Sequence, residues 1–181
     1  MVKVVIFFGI PGSGKSYIAK NLAKEFNAYF YEADVDFKDE YRVRGKLSKE
    51  DGEKVKNEFY DIVISKIKSY LSEYKLVFVA TALGKNKFRH KFIKEFKNEI
   101  TFVLVTPDPN KHLDYVLERE LPDTSVSKEE LQKDLKIHLE NKILTFEIPD
   151  FKYIELENDY SNEATQRSRE LLSKHINGIV V

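Results

Sequence analysis

The chain has 181 residues, 42% hydrophobic and 13% aromatic, which suits one α/β domain over 1–181 with a real core and is too short for two ordinary domains. Lys plus Arg and Asp plus Glu both total 30, so no net field favours nucleic acid or an anionic membrane, and the absence of cysteine excludes disulfides, thiolate metal sites and a cysteine nucleophile. No apolar run approaches the roughly 18 residues of a membrane span, and Met1 to Phe8 lacks a signal-peptide cleavage site, so a cytoplasmic monomer or homodimer with no membrane contact is expected.

Val2 to Phe8 is β-branched and aromatic almost without a polar break, the pattern of a central parallel strand buried on both faces. After a glycine-rich turn, Ile18, Ala19, Leu22, Ala23 and Phe26 recur at helical spacing from Lys15 onward. Tyr29 to Tyr31 predicts a short second strand running into Glu32, Ala33, Asp34, Val35 and Asp36. A polar stretch from Lys38 to Lys54 leads to a long helix with Val55, Phe59, Ile62, Val63, Ile67 and Leu71 on its apolar face. Leu76 to Ala80 predicts a third strand, Phe88, Phe92, Ile93 and Phe96 a helix, and Ile100 to Val105 a fourth strand closed by Thr106-Pro107-Asp108-Pro109. Leu113, Val116 and Leu117 mark a helix ending near Arg119, and Ser127-Lys128-Glu129-Glu130 reads as the capping box of the next. The loop between them, about 119–128, is a candidate lid. Phe151 to Leu156 gives a fifth strand and Ala164 to Ile176 a last helix. Five strands alternating with helices predict a three-layer α/β/α fold around a parallel sheet.

Gly9-Ile10-Pro11-Gly12-Ser13-Gly14-Lys15-Ser16 satisfies G-x-x-x-x-G-K-[ST] between a buried strand and a helix, the context that motif requires. Its glycines let backbone N–H groups curl around an anion, Lys15 can reach β and γ phosphates, and the Ser16 hydroxyl can ligate Mg²⁺. Gly9, Pro11, Gly12, Ser13, Gly14, Lys15, Ser16 and Tyr17 are therefore the nucleotide-binding candidates. No Asn-Lys-x-Asp guanine-reading segment occurs, which favours ATP over GTP.

Glu32 and Asp34, two apart, project to one side if extended, at the carboxyl edge of the sheet where ligands of α/β folds bind. One could orient Mg²⁺ and the other accept a proton from an acceptor hydroxyl; a solvated strand-to-loop transition is the bland alternative, and Asp36 is a further candidate to assist. Past Thr81 the chain turns basic, and Lys85 or Arg89 could hold an anionic acceptor, although the solvent face of a helix explains such charges equally well. Arg119, before the candidate lid, could swing onto the transferring phosphate, or could simply be a helix C-terminal cation.

Taken together these residues resemble the small-molecule kinases of the nucleoside-monophosphate-kinase-like group, and within it gluconate and shikimate kinases. Glu32-Ala33-Asp34 stands where shikimate kinases carry Asp-x-Asp and gluconate kinases Asp-Gly-Asp; Ala82-Leu83 with Lys85 and Arg89 resembles the gluconate kinase Ser-Ala-Leu-Lys segment with its downstream arginine. The resemblance implies a five-stranded parallel sheet of order 2-3-1-4-5, a small mobile lid, ATP and Mg²⁺ as cofactors, and an acceptor site over the sheet's carboxyl edge. Position by position it implies Lys15 and Ser16 for phosphates and metal, Asp34 for the acceptor hydroxyl and Arg119 for the transferred phosphate. Asp51-Gly52-Glu53-Lys54-Val55 departs from the gluconate kinase Asp-Arg-x-Pro-Trp, and Tyr115 replaces its earlier pre-lid arginine, so gluconate itself does not carry over.

The expected function is thus an ATP-dependent kinase, with Lys15, Asp34 and Arg119 catalytic, Asp34, Lys85 and Arg89 binding a small anionic acceptor, and Ser16 and Glu32 serving the metal. A polynucleotide 5′-hydroxyl kinase is the alternative, since such enzymes pair a similar loop with an acidic segment and Asp39-Glu40-Tyr41-Arg42 loosely fits theirs; it would need a contiguous basic groove. A nucleoside or nucleotide kinase is a neighbouring reading, and a non-catalytic nucleotide-binding module a third.

Overall fold

In the computed structural model, which describes residues 1–37, 49–123, 125–161 and 163–176, the first strand is the axis of everything else. All five side chains of β1 (Val4–Phe8) are fully buried. It pairs in parallel with β3 (Val77–Thr81) on one side and β4 (Ile100–Pro107) on the other. The outer strands β2 (Tyr29–Glu32) and β5 (Ile154–Asn158) complete a parallel sheet of order β2-β3-β1-β4-β5.

Strand periodicity divides the core. Val4, Ile6 and Phe8 point to a layer containing α2 (Lys49–Leu71) and α3 (Asn86–Phe96), through Phe59, Val63, Ile67, Phe88 and Phe92. Val5 and Phe7 point to the opposite layer, where α1 (Lys15–Glu25) and α6 (Ala164–His175) bring Ile18, Leu22 and Leu172. Each such fully buried side chain contributes about 1.5–3 kcal/mol, which is why the unbroken apolar run at the N-terminus dictates a central strand. The remaining helices, α4 (His112–Glu120) and α5 (Lys128–Thr145), pack on each other beyond the carboxyl end of the sheet. Ser127 caps α5 by accepting from the Glu130 N–H at 3.2 Å, as the capping box requires. A short 3-10 turn, Leu121–Asp123, continues from α4 within the expected lid.

Two local expectations are corrected. Glu32 and Asp34 are not on one extended segment: Ala33–Asp36 winds into a 3-10 turn. Strand β5 begins at Ile154 rather than Phe151, because its register pairs Val103 with Ile154 and Pro107 with Asn158. Phe151 instead packs its ring 4.7 Å from that of Phe102. The Asp39 to Arg42 pattern, Gly45, Thr124 and the tail from Asn177 lie outside the described residues. Among those described, no helix is long and apolar enough to cross a membrane.

Candidate active site

The glycine loop leaves β1 at the carboxyl edge of the sheet and ends at the first turn of α1, which Gly14 caps in the left-handed region at φ 84°. A side chain there would be strained, and its Cβ would stand 2.1 Å from Asn158 Nδ2. At Gly9 closeness is a constraint too: a Cβ would lie 2.4 Å from the Val105 carbonyl oxygen. Lys15 is buried at the loop's end, and Ser13 is fully buried with its hydroxyl unpartnered.

Three residues from the far end of the sequence hold the loop's carbonyls outward. His112 Nε2–H donates to Pro11 O at 2.7 Å, Asn158 Nδ2 to Ser13 O at 2.9 Å, and the Tyr160 hydroxyl to Gly12 O at 2.9 Å. Turning successive carbonyls away leaves the opposite side of the loop to its N–H groups, the arrangement that receives an anion. Burial, reinforced by the charge of Arg119, holds His112 below the usual histidine range against the opposing pull of the Pro11 carbonyl. Tyr160 reaches Gly12 from a backbone φ of 59°, rare for an aromatic residue. Nothing in the sequence reading pointed to these three, since a lone His, an Asn at a strand end and a Tyr in a turn carry no motif.

At the same sheet edge, the Glu32 carboxyl stands beside the Ser16 hydroxyl. Burial pushes its carboxyl above the ordinary range and the Asp34 charge adds to this, while Ser16 and Lys15 oppose. A desolvated carboxylate beside a hydroxyl is a hard-oxygen pair that a divalent cation would stabilise. Asp34 Oδ1 accepts from the Thr81 hydroxyl at 3.1 Å and the Ala82 N–H at 3.3 Å. Tyr60 lies close by, its hydroxyl kept protonated by burial and by the charge of Asp34.

Asp36 takes no part in that chain. It accepts from the Tyr31 hydroxyl and from Lys66 Nζ at 2.6 Å, fastening the 3-10 turn to α2. Burial alone would raise Asp36, yet Lys66 and Tyr31 hold it below the ordinary carboxylate range. A carboxyl depressed in the folded state contributes stability above its unfolded pKa, about 3.9, and loses it as the pH falls through the folded value. Asp36→Asn is accordingly expected to lower the urea midpoint at pH 7 and to converge on the parent protein below about pH 4; a gap independent of pH would show that the pair contributes nothing.

The basic candidates part company. Lys85 stands in the site, lining a pocket of about 160 Å³ that reaches from Gly9–Pro11 to α2 and α5, and pairs with Glu147 Oε1 at 3.2 Å. Arg89, expected to hold an anionic acceptor, is instead fully buried. Its guanidinium lies 4.8 Å from the ring centroids of both Phe8 and Phe146. It donates to Leu83 O at 2.9 Å, Asn86 Oδ1 at 2.6 Å and Glu147 O at 2.7 Å, tying the segment after β3 to the segment after α5. Arg119 is half-exposed on α4 and pairs with Glu120 Oε1, with Nε at 2.9 Å. Tyr17 is 62% exposed beside a second cavity of about 160 Å³, lined also by Tyr115, Asn158 and Tyr160. The Tyr115 and Tyr160 rings stack there at 4.3 Å and 22°.

Residues 2–167 match the family described as chromatin associated protein KTI12. No curated protein matches the chain. Among solved structures, a sugar kinase from Janibacter sp. HTCC2649 is similar over 100% of this chain and 99% of its own, at 16% identity and a TM-score of 0.68. A gluconokinase from Sinorhizobium meliloti 1021 is similar over 97% and 98%, at 16% identity and a TM-score of 0.64. Kti12 of Chaetomium thermophilum, in complex with ADP-AlF3, is similar over 97% and 100%, at 17% identity and a TM-score of 0.62. At these identities the likeness is one of fold: a P-loop kinase architecture shared with gluconate and shikimate kinases.

Proposed function

The chain belongs to the family described as chromatin associated protein KTI12, and from that membership and the geometry of its site we propose that it is an ATP-dependent kinase acting on a hydroxyl of a small anionic acceptor. One observation carries the reading: Asp34, aligned by Thr81 and the Ala82 N–H, is fixed beside a pocket that opens onto Gly9–Pro11.

Nucleotide phosphates are received by the inward N–H groups of the loop and by Lys15, and the base by the aromatic cleft of Tyr17, Tyr115 and Tyr160. Ser16 and Glu32 are the residues that would hold Mg²⁺, which when bound neutralises charge on the phosphates. Among the described residues no group of three or more His, Cys, Asp or Glu is gathered to hold an ion. Two protein oxygens suit a metal that takes its other ligands from phosphates and water. In the transfer, the acceptor O–H bond breaks with its proton passing to Asp34, the acceptor oxygen bonds to the γ-phosphorus, and the bond to the β–γ bridging oxygen breaks with its electron pair leaving on ADP. Arg119 lies on the helix that carries His112 and would reach the transferring phosphate by leaving Glu120.

A screen of ADP release over sugar acids, shikimate, nucleosides, nucleoside monophosphates, sugar phosphates and 5′-hydroxyl oligonucleotides tests the reading. One class is expected to raise the rate at least about tenfold over water alone, through positioning of its hydroxyl. Tight ADP binding with no acceptor effect would instead favour a nucleotide-dependent interaction module. The exposed apolar side chains of Ile137, Ile143 and Leu144 on α5, 50%, 54% and 82% accessible, are the observation on that side.

A further inference from the structure

The pocket beside Asp34 carries charge that the phosphotransfer machinery does not use. Lys56 reaches it from α2, Lys85 from the segment after β3 and Lys142 from α5, so three elements distant in sequence bring three ammonium groups to one mouth. The carboxylates nearby are already committed. Glu147 pairs with Lys85 at 3.2 Å and accepts from the Asn86 N–H at 2.6 Å, and Glu53 pairs with Lys87 at 2.5 Å. Among the described residues, Lys56 and Lys142 have no carboxylate within ion-pair distance. Desolvation at the pocket wall, then the charges of Lys142, Lys85 and Lys87, hold the Lys56 ammonium below the usual lysine range, with Glu53 opposing.

Like charges brought together without counter-charges are destabilising unless a ligand supplies the missing negative charge. The walls between them are apolar, through Tyr60, Phe88 and Phe146. Two unpaired ammonium groups call for two negative charges on one small group, which a phosphate monoester carries and a single carboxylate does not. At about 160 Å³ the pocket leaves room for little beyond a small carbon skeleton.

We propose that Lys56 and Lys142 form an anion subsite for a phosphate monoester already present on the acceptor, so that this protein phosphorylates a hydroxyl of a compound that carries a phosphate at its other end. The assignment rests on the kinase reading above, because it takes the pocket beside Asp34 to be the acceptor's. A reaction of this kind would have to follow one that installs the first phosphate. An oligonucleotide terminus presents a similar group, but with further phosphates on either side of it.

The test measures binding and turnover separately in the full chain. Ribose 5-phosphate, ribose and a 5′-phosphorylated trinucleotide are titrated calorimetrically into the ADP-bound protein, and ADP release is followed with ATP and each compound. Ribose 5-phosphate is expected to bind at least about tenfold more tightly than ribose, to lose about tenfold to a hundredfold in affinity in Lys56→Met and in Lys142→Met, and to weaken as salt is raised. Lys68→Met, which removes a lysine paired to Glu95 and absent from the pocket lining, is expected to change little. Equal binding of ribose and ribose 5-phosphate, or no binding of either, overturns the subsite. So does an equal loss of ADP affinity in Lys56→Met, which would give these lysines to the donor nucleotide. Preference for the trinucleotide over ribose 5-phosphate, with a steep salt dependence, would replace a small acceptor by a nucleic acid. Lysine-dependent binding of ribose 5-phosphate without ADP release from any phosphorylated compound would keep the subsite and overturn the kinase reading.

Discussion

Asp34→Asn is expected to leave nucleotide binding intact and to lower phosphotransfer by about 10²–10⁴-fold, the contribution of a positioned proton acceptor. The substitution is close to isosteric, and the amide oxygen can still accept from the Thr81 hydroxyl and the Ala82 N–H that orient it. What it removes is the capacity to take up a proton. The Thr81 hydroxyl and the Ala82 N–H matter because a carboxylate with both donors on Oδ1 is fixed in rotation. Thr81→Val, which removes one of the two donors, should therefore give a smaller loss of turnover than Asp34→Asn, with the acceptor KM little changed. Calorimetric titration of ADP and steady-state ADP release, run on the same preparations, decide the matter. An asparagine variant that turns over at the parent rate would remove Asp34 as the base.

The second large effect is on stability. Arg89→Leu is expected to cost about 3–5 kcal/mol, a large share of the 5–15 kcal/mol that holds a domain folded, and to lower Tm by roughly 10 °C. Leucine would satisfy the apolar volume between Phe8 and Phe146. It cannot replace the donors to Leu83 O, Glu147 O and Asn86 Oδ1, and each buried acceptor left unsatisfied costs about 1–3 kcal/mol. Burial pulls the guanidinium down to about 10, against the opposing charges of Glu147 and Asp150, so the cation still holds its proton at neutral pH. Arg89→Lys should recover only part of the loss, because an ammonium cannot span three acceptors in the plane of a fork. If Arg89→Leu melts with the parent protein, the buried network is not what joins the two segments.

The sheet was legible because β1, β3 and β4 are nearly continuous apolar runs, the pattern of parallel strands buried on both faces, while its order followed from the resemblance to small-molecule kinases. The phosphate loop was legible because its glycines answer to backbone geometry that no other residue supplies at Gly14. The acidic turn was only half legible. Two carboxylates two residues apart suggested a common face, but the winding of Ala33–Asp36 sends Glu32 to Ser16, Asp34 to Thr81 and Asp36 to Lys66. Local pattern cannot report which of three acids meets which distant partner. Arg89 was misplaced for the same reason: on an amphipathic helix rich in lysine it reads as a cation for an anionic acceptor or for solvent, and only the return of Phe146 and Glu147 against it makes it interior. The Lys56 and Lys142 pair was invisible, since the two are separated by most of the chain and each stands in an ordinary charged helix.

The residues that hold the glycine loop also set the order in which the protein can become active during its own synthesis. The carbonyls of Pro11, Ser13 and Gly12 find His112, Asn158 and Tyr160 only after 101, 145 and 148 further positions have been added. At about 5–20 residues per second, that is a delay of roughly 10–30 s. A nascent chain halted before Tyr160 carries the whole motif and lacks the supports that shape it. Nucleotide capture by a series of stalled chains should appear abruptly with the last of these contacts.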